Sequence, residues 1–145
     1  MNMWRTWLAA LTIFFTFGVA LAAPRPIELK LSPLPGVWIA TITPSGDDAQ
    51  QPGAATFTET LSFKGDKMTT KVLLQKGFGP ATYDEDRRSV GPSQFTCTQT
   101  SDKEGSAAWV CTATETDMQG TLVITHKDGS ITHYDVQGQK QPFQR

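Results

Sequence analysis

The sequence predicts an all-β protein, a small antiparallel up-and-down β-barrel of about eight strands. Three observations lead to this prediction. Short runs of alternating apolar and polar residues follow one another along the chain. Turn residues separate these runs about every eight to twelve residues. After the N-terminal segment, no run of useful length has the period of a helix.

The N-terminal segment has the pattern of a signal peptide. Arg5 gives a positive start, an apolar run covers Trp7 to Val19, and Ala20-Leu21-Ala22 fits a cleavage site. The run is short for a membrane span, which needs roughly 20 apolar residues. We therefore predict that residues 1–22 are removed and that the mature protein is periplasmic or secreted, with no stable span. The alternative is an uncleaved anchor, if the residues up to Ala23 are counted.

The remaining chain is predicted to form one domain of modest core size. Residues 23–35 contain four prolines and form an extended leader, because proline fixes φ and removes a hydrogen-bond donor. Residues 36–140 form the barrel, and residues 141–145 are a polar tail. Without Arg5 the chain has 12 basic and 14 acidic residues and no basic stripe, which argues against nucleic acid as a partner.

The first strand is Val37–Thr43, and an exposed loop, Pro44–Gly53, follows it. Strands Phe57–Lys64 and Lys67–Leu74 form a hairpin around Gly65-Asp66, since a leading glycine suits a two-residue type II′ turn. This register puts apolar residues of both strands on one face, through the pairs Phe63–Met68, Leu61–Thr70, Glu59–Val72 and Phe57–Leu74.

The segment Gln75–Gly91 is irregular and long for a plain connection. It contains two aromatic residues, Phe78 and Tyr83. The favoured interpretation is a bent strand or short helix that covers an open end of the sheet and helps to complete it. The alternative is a lid over a pocket, in which both aromatic residues contact a ligand.

The next two strands, Ser93–Thr100 and Ala107–Thr116, place Cys97 opposite Cys111 if the turn is centred on Glu104. Opposed Cβ atoms lie about 4.5–5.5 Å apart. Since two cysteines in an exported protein usually pair, we predict a disulfide, which would stabilise the fold by roughly 3 kcal/mol. The alternative is a reduced pair in metal or redox chemistry.

The last hairpin joins strands at residues 121–127 and 130–136 through Asp128-Gly129, a signal for a type I′ turn. Continuing the register gives the predicted inward face: Phe95, Cys97, Trp109, Cys111, Ala113, Leu122, Ile124, His126, Ile131 and His133. A single bulge would exchange the later residues between faces.

Polar residues on this predicted inward face are candidates for ligand binding. Glu59 lies either at a barrel mouth, in reach of water, or against a ligand. His126 and His133 are predicted as diagonal neighbours, but two histidines without a third ligand are weak evidence for a metal. We therefore predict no metal and no cofactor. The complete set of predicted ligand contacts is Glu59, Phe78, Tyr83, Trp109, His126 and His133.

Motifs of enzyme chemistry are missing from the sequence. There is no G-x-S-x-G elbow and no phosphate-cradling glycine loop, so no enzyme activity is predicted. A hydrolase is the least favoured alternative. It would need a cleft that holds Glu59 or a histidine with a second titratable group in reach.

Gly36-Val37-Trp38 on the first strand, after an extended leader, resembles the lipocalin or calycin signature. The resemblance implies that Trp38 packs across one end of a barrel and that a basic side chain covers it, with Lys127, Lys140 and Arg145 as candidates. The stretches T-L-S-F-K-G-D-K-M-T, G-F-G-P-A-T-Y, F-T-C-T, W-V-C-T-A-T and Q-G-T-L-V-I-T-H-K-D-G are similar to small secreted bacterial lipocalin-like proteins. Such proteins have no assigned enzyme activity.

The expected function is that of an exported, non-enzymatic and monomeric binding module for a small apolar or amphipathic molecule. An eight-stranded barrel either holds one small ligand or is filled by side chains. The alternative is a protein-interaction or inhibitor module of the cell envelope. Its contact surface would be the loops Pro44–Gly53 and Gln75–Gly91.

Overall fold

The computed structural model describes residues 22–24, 31–87 and 91–143. The predicted signal peptide, apart from Ala22, lies outside the described residues. The strands are β1 Gly36–Pro44, β2 Phe57–Lys64, β3 Lys67–Thr70, β4 Ala81–Asp86, β5 Ser93–Ser101, β6 Gly105–Ala113, β7 Asp117–His126 and β8 Ile131–Lys140. Each strand pairs antiparallel with the next, and β8 pairs with β1. The prediction of a small antiparallel barrel of about eight strands is confirmed.

The first hairpin has the predicted register near its turn, where Phe63 lies opposite Met68. The predicted extension of its second strand to Leu74 is wrong. β3 ends at Thr70, and a one-turn helix, α1 Val72–Gln75, follows. The chain leaves the sheet here because the Glu59 carboxylate accepts hydrogen bonds from main-chain N–H groups at the start of this helix.

The segment Gln75–Gly91 completes the barrel. β4 pairs with both β3 and β5, and the residues between α1 and β4 cover one open end. Phe78 in this stretch is only 1% exposed and belongs to the core. The favoured interpretation, a covering segment that also contributes to the sheet, is therefore confirmed.

The hairpin of β5 and β6 has a different register from the predicted one. Ser101 pairs with Gly105, so three residues form the loop and its centre is Lys103. As a result Cys97 lies opposite Trp109, two positions along β6 from Cys111.

The predicted disulfide is wrong, because this offset makes the two cysteines diagonal neighbours. Such diagonal neighbours lie roughly 7–8 Å apart, with their Cβ atoms somewhat closer, whereas a disulfide needs a Cβ separation of about 3.5–4.5 Å. Cys97 and Cys111 are both free and buried. Burial raises the pKa of the Cys97 thiol to about 11 and that of the Cys111 thiol to about 12.

The last hairpin also has a three-residue loop instead of the predicted two-residue turn. His126 N–H donates to the carbonyl of Ser130, and Gly129 takes a positive φ of 88°. A type I turn followed by a glycine in this conformation is the usual three-residue solution. The extra residue reverses the faces of β8, so the prediction that Ile131 and His133 point inward is wrong. The inward residues are Thr132, Tyr134 and Val136.

The interior of the barrel is filled by side chains. The largest fully buried ones are Trp38, Trp109, Phe78, Phe95, Leu34, Ile42, Leu61, Met68, Leu73, Leu122, Gln99 and Glu59. One end, which we call the helix end, is covered by Leu73 and Phe78 around α1. Within the described ranges, no helix is long and apolar enough to span a bilayer.

The opposite end, which we call the leader end, is closed by Trp38 and the last residues of the leader. Trp38 Nε1–H donates to the carbonyl of Leu34 at 2.9 Å, and Leu34 is fully buried. Lys140 Nζ donates to the Pro33 carbonyl at 2.6 Å and lies 5.6 Å from the centroid of the Trp38 ring. The last residues of the leader are thus packed against the barrel, although a proline-rich sequence predicts a loosely attached segment.

Candidate functional site

The Glu59 carboxylate is a structural cap. Its Oε1 accepts hydrogen bonds from the main-chain N–H groups of Thr60, Lys71 and Val72 at 2.7–2.9 Å. Its Oε2 accepts from Leu73 N–H at 2.9 Å. The side chain is fully buried, so both oxygens are occupied by the protein itself. This arrangement satisfies helix N–H groups that have no partner within the helix.

Trp109 is fixed in the core by Gln99. The indole N–H of Trp109 donates to Gln99 Oε1 at 2.9 Å. The Gln99 amide in turn donates to Thr70 Oγ1 at 3.1 Å and to the Gly79 carbonyl at 3.0 Å. Both polar side-chain atoms of this buried glutamine are therefore used, and they link β5 to β3, to β6 and to the segment that covers the helix end.

The structure does not bring the six predicted ligand contacts together. Glu59, Phe78 and Trp109 are buried in separate packing roles. Tyr83 is half-buried, its ring edge packs against Phe63 at 5.2 Å between centroids, and its hydroxyl donates to the Gly65 carbonyl at 3.0 Å. The two histidines lie at the rim of the helix end.

The histidines are held by the loop that follows β1, in which Gly46–Gln50 forms a 3₁₀ helix. His133 Nδ1 lies 2.7 Å from Asp48 Oδ2, and the same oxygen accepts the main-chain N–H of His133 at 2.7 Å. These hydrogen bonds hold the pKa of Asp48 below its usual value. Sequence reasoning missed this pair, because 85 positions separate the two residues.

His126 faces the other way and belongs to a separate hydrogen-bond chain. Its Nε2 lies 2.9 Å from Thr132 Oγ1, which also donates to Gln51 Oε1 at 3.3 Å. His133, by contrast, is outward and its side chain is 58% exposed. The two histidines therefore do not converge on one ion. Within the described residues, no group of three His, Cys, Asp or Glu side chains could hold a metal.

The outer surface of β6, β7, β8 and β1, which we call the outer wall, carries two adjoining clefts. The larger has a volume of about 650 Å³ and the smaller about 410 Å³. Both are lined by Thr112, Gln119 and Gln137, which are direct cross-strand neighbours. Thr41 lies opposite Gln137 on β1 and continues the line. We call these four residues the glutamine row.

The clefts of the outer wall combine amide and hydroxyl groups with little charge. The larger cleft also contains Gln139, Gln141 and the carboxylate of Asp117, and the smaller contains Asp135. In the part of the chain that the structure describes, no Lys or Arg lines either cleft. Sequence reasoning missed this site, because alternating Gln and Thr residues on a strand are also typical of a plain solvated face.

Comparison of the sequence with models of protein families gave no match. Neither curated proteins nor solved structures gave a match to the chain. The closed eight-strand barrel agrees with the resemblance to lipocalin-like proteins at the level of architecture.

Proposed function

We propose that this protein is an exported, lipocalin-like, non-enzymatic binding module that holds its ligand on the outside of the barrel. Export rests on the signal-peptide pattern at residues 1–22. The lipocalin-like assignment rests on Gly36-Val37-Trp38 and on the barrel architecture. The single observation that carries the external site is the filled interior. A barrel of this size is either filled or holds one small ligand.

Side chains of the described strands occupy the interior, where the small apolar ligand is predicted to bind. Phe95 and Trp109, at mid-barrel, are at most 1% exposed. Leu34 with Trp38 covers one end, and Leu73 with Phe78 covers the other. The clefts of the outer wall lie on the opposite side of the sheet. These observations favour recognition from outside over transport of an apolar molecule inside.

An apolar fluorescent dye tests whether the interior is filled. We expect no saturable binding of N-phenyl-1-naphthylamine to the mature protein. The variant Phe95→Ala serves as the positive control, since removing this fully buried ring leaves an apolar cavity of the kind that binds small apolar molecules. Saturable dye binding to the unmodified protein, lost when Phe95 is enlarged to Trp, would contradict the external site.

A photo-crosslinking residue tests the outer wall directly in the organism that makes the protein. We expect an adduct when the probe replaces Gln137 in the glutamine row. The control replaces Thr82, an exposed residue on β4 on another side of the barrel. Equal labelling at both positions, or none at Gln137, would contradict binding at the outer wall.

A second candidate function is protein interaction through the loop Pro44–Gly53. The observation in its favour is that the Asp48–His133 hydrogen bond holds this loop on β8, and ordering before binding lowers the entropic cost of association. A crosslinker at exposed Gln50 tests it. The other loop predicted for this role, Gln75–Gly91, contributes a covering segment and β4 to the barrel instead of a free loop. An adduct at Gln50 and none at Gln137 would select this alternative.

A hydrolytic role has little support from the same region. His133 has a titratable partner, Asp48, in reach. However, neither residue lines either cleft of the outer wall. A base on an open rim has no site in which to hold a substrate.

A further inference from the structure

We propose that the glutamine row binds an extended stretch of a neutral glycan across the outer wall. This inference rests on the proposed external binding function and names its ligand class. It follows from the shape of the two clefts, from the hydrogen-bonding groups they present and from their charge.

The shape favours an elongated ligand. The row runs from Thr112 on β6 through Gln119 and Gln137 to Thr41 on β1. Neighbouring strands are about 4.7–4.9 Å apart, so three spacings make a row of roughly 14 Å. The two clefts meet at this row, because the same three residues line both. A chain of several sugar units matches such a track better than a compact molecule does.

The glutamine amides of the clefts are available to a ligand, whereas the Thr112 hydroxyl already donates to the Gln119 carbonyl at 3.4 Å and can only accept. The side-chain amides of Gln119, Gln137, Gln139 and Gln141 make no hydrogen bond to the described part of the chain. Each amide can donate and accept. Sugar hydroxyl groups have the same dual character. The partly exposed side chain of Ile39 adds an apolar contact surface of the kind that the carbon face of a sugar ring needs.

The charge of the clefts selects a neutral polymer. Among the residues that the structure describes, the charged ones that line the clefts are Asp117 and Asp135, which would repel phosphate, sulfate or carboxylate groups. Carboxylates also accept hydrogen bonds from hydroxyl groups. A protein partner is less well matched, since protein interfaces are enriched in Tyr, Trp, Phe, Met and Arg. Of these residue types, only Met118 lines the clefts within the described chain, and its side chain is buried in the core.

Nitrogen-15 NMR spectroscopy of the full mature protein tests the proposal. The probes are three neutral oligosaccharides: cellotetraose, maltotetraose and chitotriose. We expect at least one to shift the side-chain amide signals of Gln119 and Gln137 in a saturable way. The affinity should change less than twofold between about 50 and 500 mM NaCl, because ionic screening weakens interactions between charges and hardly affects a neutral ligand. No saturable shift with any probe, or binding that weakens strongly with salt, would overturn the proposal.

Paired variants separate the site from the fold. The double variant Gln119→Glu with Gln137→Glu keeps the side-chain shape but removes two donors, and we expect at least tenfold weaker binding. The control is Gln50→Glu with Gln75→Glu, two exposed positions at the helix end, which should leave the affinity unchanged. Main-chain spectra verify the fold of both. Equal weakening in both double variants would overturn the assignment.

The outcome also distinguishes this proposal from the proposed function. If a protein is crosslinked at Gln137 and no oligosaccharide shifts the amide signals, the proposal of an external binding site stands and the proposal of a glycan ligand is overturned. Saturable dye binding inside the unmodified barrel would contradict the external site, whatever the oligosaccharides do.

Discussion

Glu59 illustrates how a residue that looks chemical can be structural. A carboxylate on the same strand face as Phe57 and Leu61 suggests a binding or catalytic site, because burying a charge without partners is costly. Here four main-chain N–H groups supply the partners. Its inward direction could be predicted from the alternation of β2. Its partners could not, because they exist only where α1 begins.

We predict that Glu59→Gln destabilises the protein by about 3 kcal/mol. The amide nitrogen cannot accept, so one or more N–H groups at the start of α1 lose their partner in a buried place. Urea unfolding followed by tryptophan fluorescence measures the loss. The exposed Glu115→Gln is the control and should change stability by less than about 0.5 kcal/mol. A similar effect of both substitutions would show that Glu59 is not a cap.

We predict that Cys97 and Cys111 remain unmodified in the folded protein at pH 8. Burial raises both thiol pKa values above that pH, so little nucleophilic thiolate forms, and access is blocked. Intact mass after iodoacetamide treatment should show no adduct in buffer and two adducts in urea. The mass before alkylation should be the same with and without reductant. A mass two protons lower without reductant would restore the disulfide.

At the scale of elements, turns decide what the sequence can reveal. Gly65-Asp66 was correctly predicted as a two-residue turn, and the register of β2 and β3 followed from it. The hairpins β5–β6 and β7–β8 have three-residue loops that end in or precede glycine, and glycine alone does not distinguish these loop lengths. One residue of difference reversed the faces of β8, and two positions of offset separated the cysteines.

Two glycines at positive φ provide a matched prediction about these loops. Gly129 lies in open space, so Gly129→Ala should cost about 1 kcal/mol from backbone strain alone. Gly105 has a φ of 118°, and a Cβ there would collide with the main-chain oxygen of Thr125. We expect Gly105→Ala to cost more than about 3 kcal/mol. Thermal unfolding measures both, and equal shifts would contradict the close approach of β6 and β7.

The loop after β1 should depend on pH through Asp48. The hydrogen bonds from His133 hold the pKa of Asp48 below its unfolded value, so their stabilising effect is present above the ordinary aspartate pKa of about 3.9 and is lost as the pH falls through the folded value. We expect Asp48→Asn to speed hydrogen exchange at the His133 amide already at pH 6. Its exposed neighbour provides the control, Asp47→Asn. Equal exchange rates in the two variants would show that the Asp48 carboxylate does not hold the loop on β8.

At the scale of the whole molecule, the barrel depends on both of its covers. The strand patterns of the sequence predict the barrel. They do not predict that the leader packs against it, because a proline-rich stretch is usually only loosely attached to the fold. Leu34→Ala should destabilise the protein by about 2–5 kcal/mol, since Leu34 is fully buried beside Trp38. The control in the same leader is Leu31→Ala, where the side chain is 95% exposed. Chemical unfolding should show no change for the control, and an equally small effect at Leu34 would mean that the leader is dispensable.

The pairing of β8 with β1 has a consequence for how the chain folds. β1, the first strand to be synthesised, can pair with β8 only after the whole barrel sequence has been made, because Trp38 lies opposite Lys140. Until then both strands are edges with unpaired main-chain groups, which are prone to join other chains. Contacts between distant parts of a sequence also form slowly. Loss of β8 alone would thus leave an open sheet that is prone to aggregate. Chaperones should matter most in the interval before β8 has been synthesised and has paired.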